Sequence, residues 1–477
     1  MSTILAQLAE LSCAPVPKSV RDRIPARIID IVGIAVRAAA LDTSAAVIDF
    51  ALAQGSVGRA TMIGSGRWAA VPEAAFVNGV LAHSLDYDDT HLPSILHPSA
   101  SVVPAALSVA EAEPTSGADL LDAIALGLEI TVRLGMGGYD SSARQSVYFE
   151  RGQHATSICG TVGSAVAAAR LLGLDESGIC HAMGIAASMS SGIIEANRTG
   201  GTVKRLHCGW AARGGVTAAQ LAARGITGPP TAIEGRFGLF QAFLGDQADL
   251  SAVTEGLGES WLCDDIFFKP YPANHFTHAA IDAAMALRRR GVTGENLLSA
   301  TLAVPPPTVR TIGEPIEAKR SPQSGYFAQF SGPYAVVVGL LADEDTGVGL
   351  TDFSDALAND PQRRQLMSRV DVVADPNMME IYPNQFPARL SVATDTGETF
   401  VEEVFTNLGS PQRPLLKAQL YAKYCDNTSG SLTTQTIEHT YRTLSSVGSF
   451  SSTAALLSPF AQLRQAPAFR ETTGERL

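Results

Sequence analysis

The sequence predicts a mainly α protein: a large all-α helical domain over residues 1–265, a smaller α+β domain over 266–410, and a helical segment, 411–477, that returns to the first domain. Three observations predict this. Hydrophobic residues make up 46% and charged residues 17% of 477, the balance of a well-buried globular chain that is too long for one core. From the N-terminus to about residue 265 the chain reads as helix on helix, without the strand–helix alternation of a nucleotide-binding sheet. Short apolar runs of strand length enter only after Lys269.

Taken in order, Ser116 has the form of an N-cap, with Asp119 three residues on, opening a helix to about Leu134. Gly135 and the Gly137–Gly138 pair are expected to stop it. Ser157–Leu174 reads as a helix rich in Gly, Ala and Ser. Its glycines lower helix propensity, so packing must hold it, which suits an interior helix that neighbours approach closely. Asp175 caps a further helix from Glu176 to about Met189. Val216–Arg224 is an Ala-rich helical run, its start obscured by Gly214–Gly215. Beyond Lys269, Leu297–Val304 and Val370–Val373 have the length of strands. Arg389–Thr394 and Thr399–Phe405 flank Asp395-Thr-Gly397, a hairpin signal. Thr433–Leu444 is the clearest helix of the last segment.

The net charge of -12 and pI near 5.3 argue against a nucleic-acid binder, which needs a basic face. The N-terminal stretch lacks the basic start and long apolar core of a signal peptide. The most apolar runs are interrupted by Gly, Ser and Arg, so no membrane span is expected. The six cysteines are scattered without a C-x-x-C pair, as in a protein that keeps its thiols reduced. A cytoplasmic location is expected. Lysine is rare: Lys18, Lys204, Lys269, Lys319, Lys417 and Lys423 are all there are. A chain that otherwise uses Arg keeps Lys where a compact ammonium is wanted.

Titratable groups concentrate in His83-Ser-Leu-Asp-Tyr-Asp-Asp-Thr-His-Leu-Pro-Ser-Ile-Leu-His97-Pro-Ser-Ala-Ser101. Imidazoles and carboxylates so placed can tune one another's pKa values, which is what acid–base catalysis requires. Three further stretches carry such groups. Tyr148-Phe-Glu-Arg-Gly-Gln-His154 delivers a histidine to the start of a helix. Thr202-Val-Lys204-Arg-Leu-His207 puts a lysine and a histidine three apart, on one face if the segment is helical. Phe267-Phe-Lys269-Pro-Tyr-Pro-Ala-Asn-His275-Phe-Thr-His278 is a proline-stiffened loop at the predicted domain junction, where pockets often form.

His83, His91 and His97 with Asp86, Asp88 and Asp89 are possible metal ligands, but no H-x-x-x-H or H-E-x-x-H spacing supports a metal site. No G-x-S-x-G elbow supports a serine hydrolase, and no glycine-rich phosphate loop joins a strand to a helix. What is left needs no cofactor: imidazoles that move protons and ammonium groups that anchor anions. That set suits proton transfer next to a carboxylate, where preorganised cations stabilise the carbanion or enediolate.

Together the four stretches resemble the MmgE/PrpD family: Leu85-Asp-Tyr-Asp-Asp-Thr90 with His97-Pro-Ser, Phe149-Glu-Arg-Gly-Gln-His154, Lys204-Arg-Leu-His207, and Lys269-Pro-Tyr-Pro with Thr277-His278-Ala-Ala-Ile-Asp. The resemblance runs over nearly the whole chain. It implies a large all-α domain, a smaller α+β lid, a homodimer and a site between the domains. It also implies that Asp86, Thr90, His97, His154, Lys204 and Lys269 line that site. The family's later histidine matches His278; His275 stands in the same loop without a clear counterpart. Methylcitrate dehydratases of the family have a Trp after the Asp-Thr pair and Asp-Asn after His-Pro-Ser, whereas His91 and Ala100-Ser101 stand here. The expectation is a cofactor-free lyase, a dehydratase or decarboxylase of a small di- or tricarboxylate. His97 and His154 are the expected acid–base pair, Lys204 and Lys269 the carboxylate anchors, and Asp86, Thr90, His275 and His278 the substrate-binding groups. An epimerase of a substituted succinate, and a carboxylate-binding protein without catalysis, are the alternatives.

Overall fold

A computed structural model describes residues 2–342 and 347–464. The chain divides into two compact units. Residues 2–266 and 427–464 form the first, and residues 267–426 the second. The molecule is mainly α, and among the described residues the one sizeable sheet is in the second unit.

The first unit is built around Ala155–Leu171, every residue of which from Ala155 to Ala169 is buried. Leu206–Ala222, Gly117–Met136, Ser99–Ala112 and Glu176–Met189 all pack against it. Glycines permit the approach. A Cβ on Gly163 would lie 1.9 Å from Thr131 Oγ1 and 2.4 Å from the Gly127 carbonyl oxygen. Val71–His83 packs on Leu206–Ala222 just as closely, with Gly79 facing Gly209. Bare backbones in contact give these helices their dispersion energy and offset the helix propensity lost at glycine.

The caps fall where the sequence puts them. Ser116 Oγ accepts from the Asp119 amide, and Asp175 from the Gly178 amide. Three helices differ from expectation in their limits. The central helix runs Ala155–Leu171 rather than Ser157–Leu174. Gly135 lies inside the helix capped by Ser116, which continues to Met136 and stops at Gly137. Its missing Cβ makes room for Leu96 and Ser94, so it serves packing rather than termination. The Ala-rich run starts at Leu206, not Val216, and passes through Gly214 and Gly215. Gly215 lies against Ser164 and Ala165 of the central helix, and tertiary contact overrides the local penalty. Two short hairpins, Ala60–Met62 with Arg67–Ala69 and Tyr139–Asp140 with Gln145–Ser146, were not foreseen. Strands of two or three residues are too short to show a period. Thr434–Ser445 packs on Ile24–Ala38 within the first unit.

The second unit holds a four-stranded sheet in the order Val370–Ala374, Leu297–Val304, Ala388–Thr394, Thr399–Val404. The first pair is parallel and the others antiparallel; Leu302 stands opposite Val372 on one side and Leu390 on the other. Buried residues alternate along Ala388–Thr394, the period-2 pattern of a sheet covered on one face. His278–Arg289 covers it and packs in turn on Gly332–Leu340. Ile281, Ala284, Leu302, Val337 and Leu390 are among the side chains of that core.

No helix among the described residues is long and apolar enough to cross a membrane. No disulfide joins the cysteines, and Cys159, Cys208 and Cys263 are buried.

Candidate functional site

The first unit brings five of the eight expected residues into one neighbourhood. Asp86, Thr90 and His97 come from the loop after Val71–His83. His154 is the N-cap residue of the central helix, and Lys204 sits in the 3-10 turn Val203–Arg205. The loop is held hard in place. Asp86 and Ile95 both adopt left-handed backbone, with φ of 50° and 54°. For a β-branched residue such as Ile95 that costs on the order of 1–3 kcal/mol and persists only where the surroundings impose it.

The surroundings are a buried polar frame. Arg27 Nη1 donates to Asp89 Oδ2 at 2.8 Å, and Arg27 Nη2 to the Ile266 carbonyl at 2.7 Å. Asp89 also accepts from the amide and hydroxyl of Ser99, the first residue of the next helix. Burial pushes the Asp89 carboxyl above the usual range, with Arg27 and Ser99 opposing that rise. The Asp89 carbonyl accepts from His97 Nδ1–H at 2.8 Å, which fixes the tautomer and leaves Nε2 as the basic nitrogen of that ring. Thr90 Oγ1 is 3.4 Å from the same Nδ1.

Four imidazoles stand in a row. The ring centroids of His97 and His83 are 5.2 Å apart, those of His83 and His154 5.7 Å, and those of His154 and His207 4.9 Å. His154 and His207 share a proton between their Nδ1 atoms at 2.9 Å. Lys204 Nζ lies 3.4 Å from Asp86 Oδ1. Burial first, then the neighbouring histidines and Lys204, hold the His154 imidazole well below its ordinary value. Burial, His83 and Lys204 bring His207 down to about 4. Both rings are therefore neutral at pH 7, and two neutral imidazoles beside an ammonium are prepared to receive negative charge.

Sequence reasoning did not count His83, Asp88 or His207 among the site residues. His83 Nδ1–H donates to Asp88 Oδ2 at 2.7 Å, both groups being buried. The signals were present: the crowding of carboxylates after His83, and the three-residue spacing of Lys204 and His207. Only the first residue of that pair is in the 3-10 turn; His207 is in the helix that follows. His91 stands apart in role. Its Nδ1 bonds Ser94 Oγ at 2.6 Å, its backbone bridges Leu96, and burial lowers its pKa to about 3. It braces the loop.

Lys269, His275 and His278 belong to the second unit. Lys269 is buried, and its carbonyl accepts from Lys423 Nζ at 2.8 Å. The rings of His275 and His278 stack 4.5 Å apart, and His278 Nε2–H donates to the Ala273 carbonyl at 3.0 Å. Tyr271 meets the His278 ring edge-on and donates its hydroxyl to Asp282, which also accepts from Arg413. Burial raises the Asp282 carboxyl.

Comparison with known proteins identifies the origin of this arrangement. Residues 3–251 match the model of the MmgE/PrpD N-terminal domain, and residues 271–445 that of the MmgE/PrpD C-terminal domain. The chain belongs to the MmgE/PrpD family. It is 34% identical over 377 residues to the cis-aconitate decarboxylase of Homo sapiens, an alignment covering 76% of this chain and 74% of the relative. The Mus musculus cis-aconitate decarboxylase is 32% identical over 378 residues, covering 76% and 73%. That of Aspergillus terreus is 27% identical over 293 residues, covering 59% of each. In this MmgE/PrpD chain, all four sequence stretches singled out above fall within the matched domains or directly before the second, where Lys269 stands.

Proposed function

We propose that the protein is a lyase that releases carbon dioxide from a small unsaturated tricarboxylate of the cis-aconitate kind, without a cofactor. Family membership and the decarboxylase relatives support a lyase acting on a carboxylic acid; the acid and the bond broken are the proposal. One observation carries it. Distant segments deliver His97, His154 and Lys204 to the same buried neighbourhood, where the imidazoles are rigidly oriented.

The chemistry asks for little else. When a carboxylate on a methylene next to a carbon–carbon double bond leaves as carbon dioxide, its bonding pair shifts through the double bond into the carboxylate at the far end. The product of that step is an extended enediolate. One proton delivered to the carbon beside that carboxylate gives the methylene-substituted succinate. Each turnover thus loses one carbon dioxide and takes up one proton. The enediolate is the charged species to be stabilised, and Lys204 is the preorganised cation for it; one such donor contributes about 3–4 kcal/mol. His97 and His154 exchange the proton. Three incoming carboxylates oppose the burial that empties His154 and His207 of protons, so binding draws a proton onto the cluster. Asp86 holds Lys204, and Thr90 braces His97.

Lys269, His275 and His278 are proposed on the resemblance alone, Lys269 as a second carboxylate anchor. The test is a screen of cis-aconitate, 2-methylcitrate and aminated succinates, read by 13C NMR. Release of carbon dioxide from the tricarboxylate is the expected result, and it should survive exhaustive chelation. Loss of water or inversion at carbon would replace the decarboxylase reading with another outcome of the same carbanion chemistry. No reaction with any of them would overturn it.

A further inference from the structure

We propose that His83, held by Asp88, is a proton store for the site: a positioning residue whose Nε2 takes up and returns the proton that His97 and His154 exchange with substrate. The inference deepens the functional reading above and rests on it.

The geometry has three parts. First, His83 is buried at the end of Val71–His83, and its Nδ1–H is committed to Asp88 Oδ2 at 2.7 Å. A buried carboxylate accepts and does not donate, so this bond selects one tautomer and makes Nε2 the only exchangeable nitrogen. Second, His83 Nε2 is buried and has no hydrogen-bond partner among the described residues. A buried polar atom left so is costly unless a working state supplies its partner. Third, the ring neighbours both candidate proton carriers, with centroids 5.2 Å from His97 and 5.7 Å from His154. At those spacings one water can bridge imidazole nitrogens.

The charges around it suit the task. Asp88 faces both His83 and His97, its Oδ2 being 3.9 Å from His97 Nδ1. Lys204 is paired with Asp86, and Asp89 with Arg27. His207 occupies the far side of His154, and Cys208, a buried thiol next in sequence, is held protonated by burial. In the transfer, an N–H bond of a flanking imidazolium breaks as the Nε2–H bond of His83 forms. The positive charge then rests against the Asp88 carboxylate, and the reverse step returns the proton. A reaction that consumes one proton per turnover inside a buried cluster needs such a station.

Two measurements test this. In the 15N NMR spectrum of the ligand-free, 15N-histidine-labelled protein, His83 is expected as the Nδ1–H tautomer with bare Nε2, and Asp88→Asn should abolish that preference. An Nε2–H tautomer in the unaltered protein would overturn the proposal, whatever the enzyme turns over. In turnover, His83→Asn keeps an N–H donor for Asp88 and removes Nε2. With cis-aconitate, its kcat should fall on the order of 10²-fold with KM within about twofold. Added methylimidazoles should restore part of the loss in an order that follows their pKa, which a merely space-filling role would not produce. Wild-type kcat in His83→Asn, or a loss indifferent to the rescuer's pKa, would sink it. His83→Gln is the second variant should His83→Asn fail to fold. A wild-type enzyme inert toward every acid would overturn the functional reading instead, and the tautomer would still decide this one.

Discussion

Replacing Arg27 by Met is the sharpest test of the frame that holds the histidine loop. Arg27 and Asp89 are 2.8 Å apart, with side chains 6% and 1% exposed. Truncating one member of such a pair leaves a buried charge and costs about 3–5 kcal/mol. Here the Asp89 carboxylate keeps its two bonds from Ser99, which sets the expectation at the low end, about 3 kcal/mol. For a unit of this size that is a fall in Tm of about 5 °C. The pH dependence follows from the direction of the Asp89 shift. Burial already raises its pKa, and Arg27 opposes the rise; without Arg27 it climbs further. The folded variant then binds a proton that the unfolded chain does not, so its stability falls as pH rises through the folded pKa and recovers as pH falls toward the ordinary carboxylate value. Calorimetry on both proteins at pH 5, 7 and 8.5 should show the deficit shrinking at acid pH. The double variant Arg27→Met with Asp89→Asn should regain at least half of the loss, because no buried charge is left alone. A pH-independent deficit, or a double variant worse than the sum of the singles, would refute the reasoning.

Lys204→Met removes the ammonium paired with Asp86; kcat/KM should drop about 10²–10³-fold with little change in Tm, and full activity would remove Lys204 from the mechanism. His207, lowered to about 4 by burial and its charged neighbours, binds fewer protons folded than unfolded between that value and 6.5. Stability should therefore decline as pH falls from 6.5 toward 4, and thermal melts of His207→Gln should show a shallower decline. Gly163→Ala would set a Cβ 1.9 Å from Thr131 Oγ1 and should cost about 1–3 kcal/mol or more by overpacking. Gly173→Ala, at φ 71° with open space around it, should cost only about 1–2 kcal/mol; urea titrations giving equal losses would mean the helix contact is not tight.

Much of the fold was legible in short-range chemistry. Ser116 and Asp175 cap where a side-chain oxygen can reach an amide two or three residues on. Leu297–Val304 and the hairpin around Gly397 follow from local pattern and turn residues. The errors lay where a glycine had two meanings. Gly135 read as a helix stop and Gly214–Gly215 obscured a helix start, yet Gly135 and Gly215 face a neighbour's side chains or backbone so closely that no Cβ fits. Sequence spacing cannot tell a glycine chosen for its backbone freedom from one chosen for its small size.

Sequence alone determined that this is a helical protein with a small mixed sheet, and that its histidines, carboxylates and rare lysines gather in four motifs. Composition, capping and residue type are properties of neighbouring positions, so they can be read in one dimension. Only the tertiary structure decided which of those groups meet. It set His83 against Asp88, His154 against His207, and His97 against the Asp89 carbonyl. It also set His91 against Ser94 inside the loop. Those outcomes depend on burial and on contacts between residues far apart in the chain, the same two quantities that fix tautomers and move pKa values.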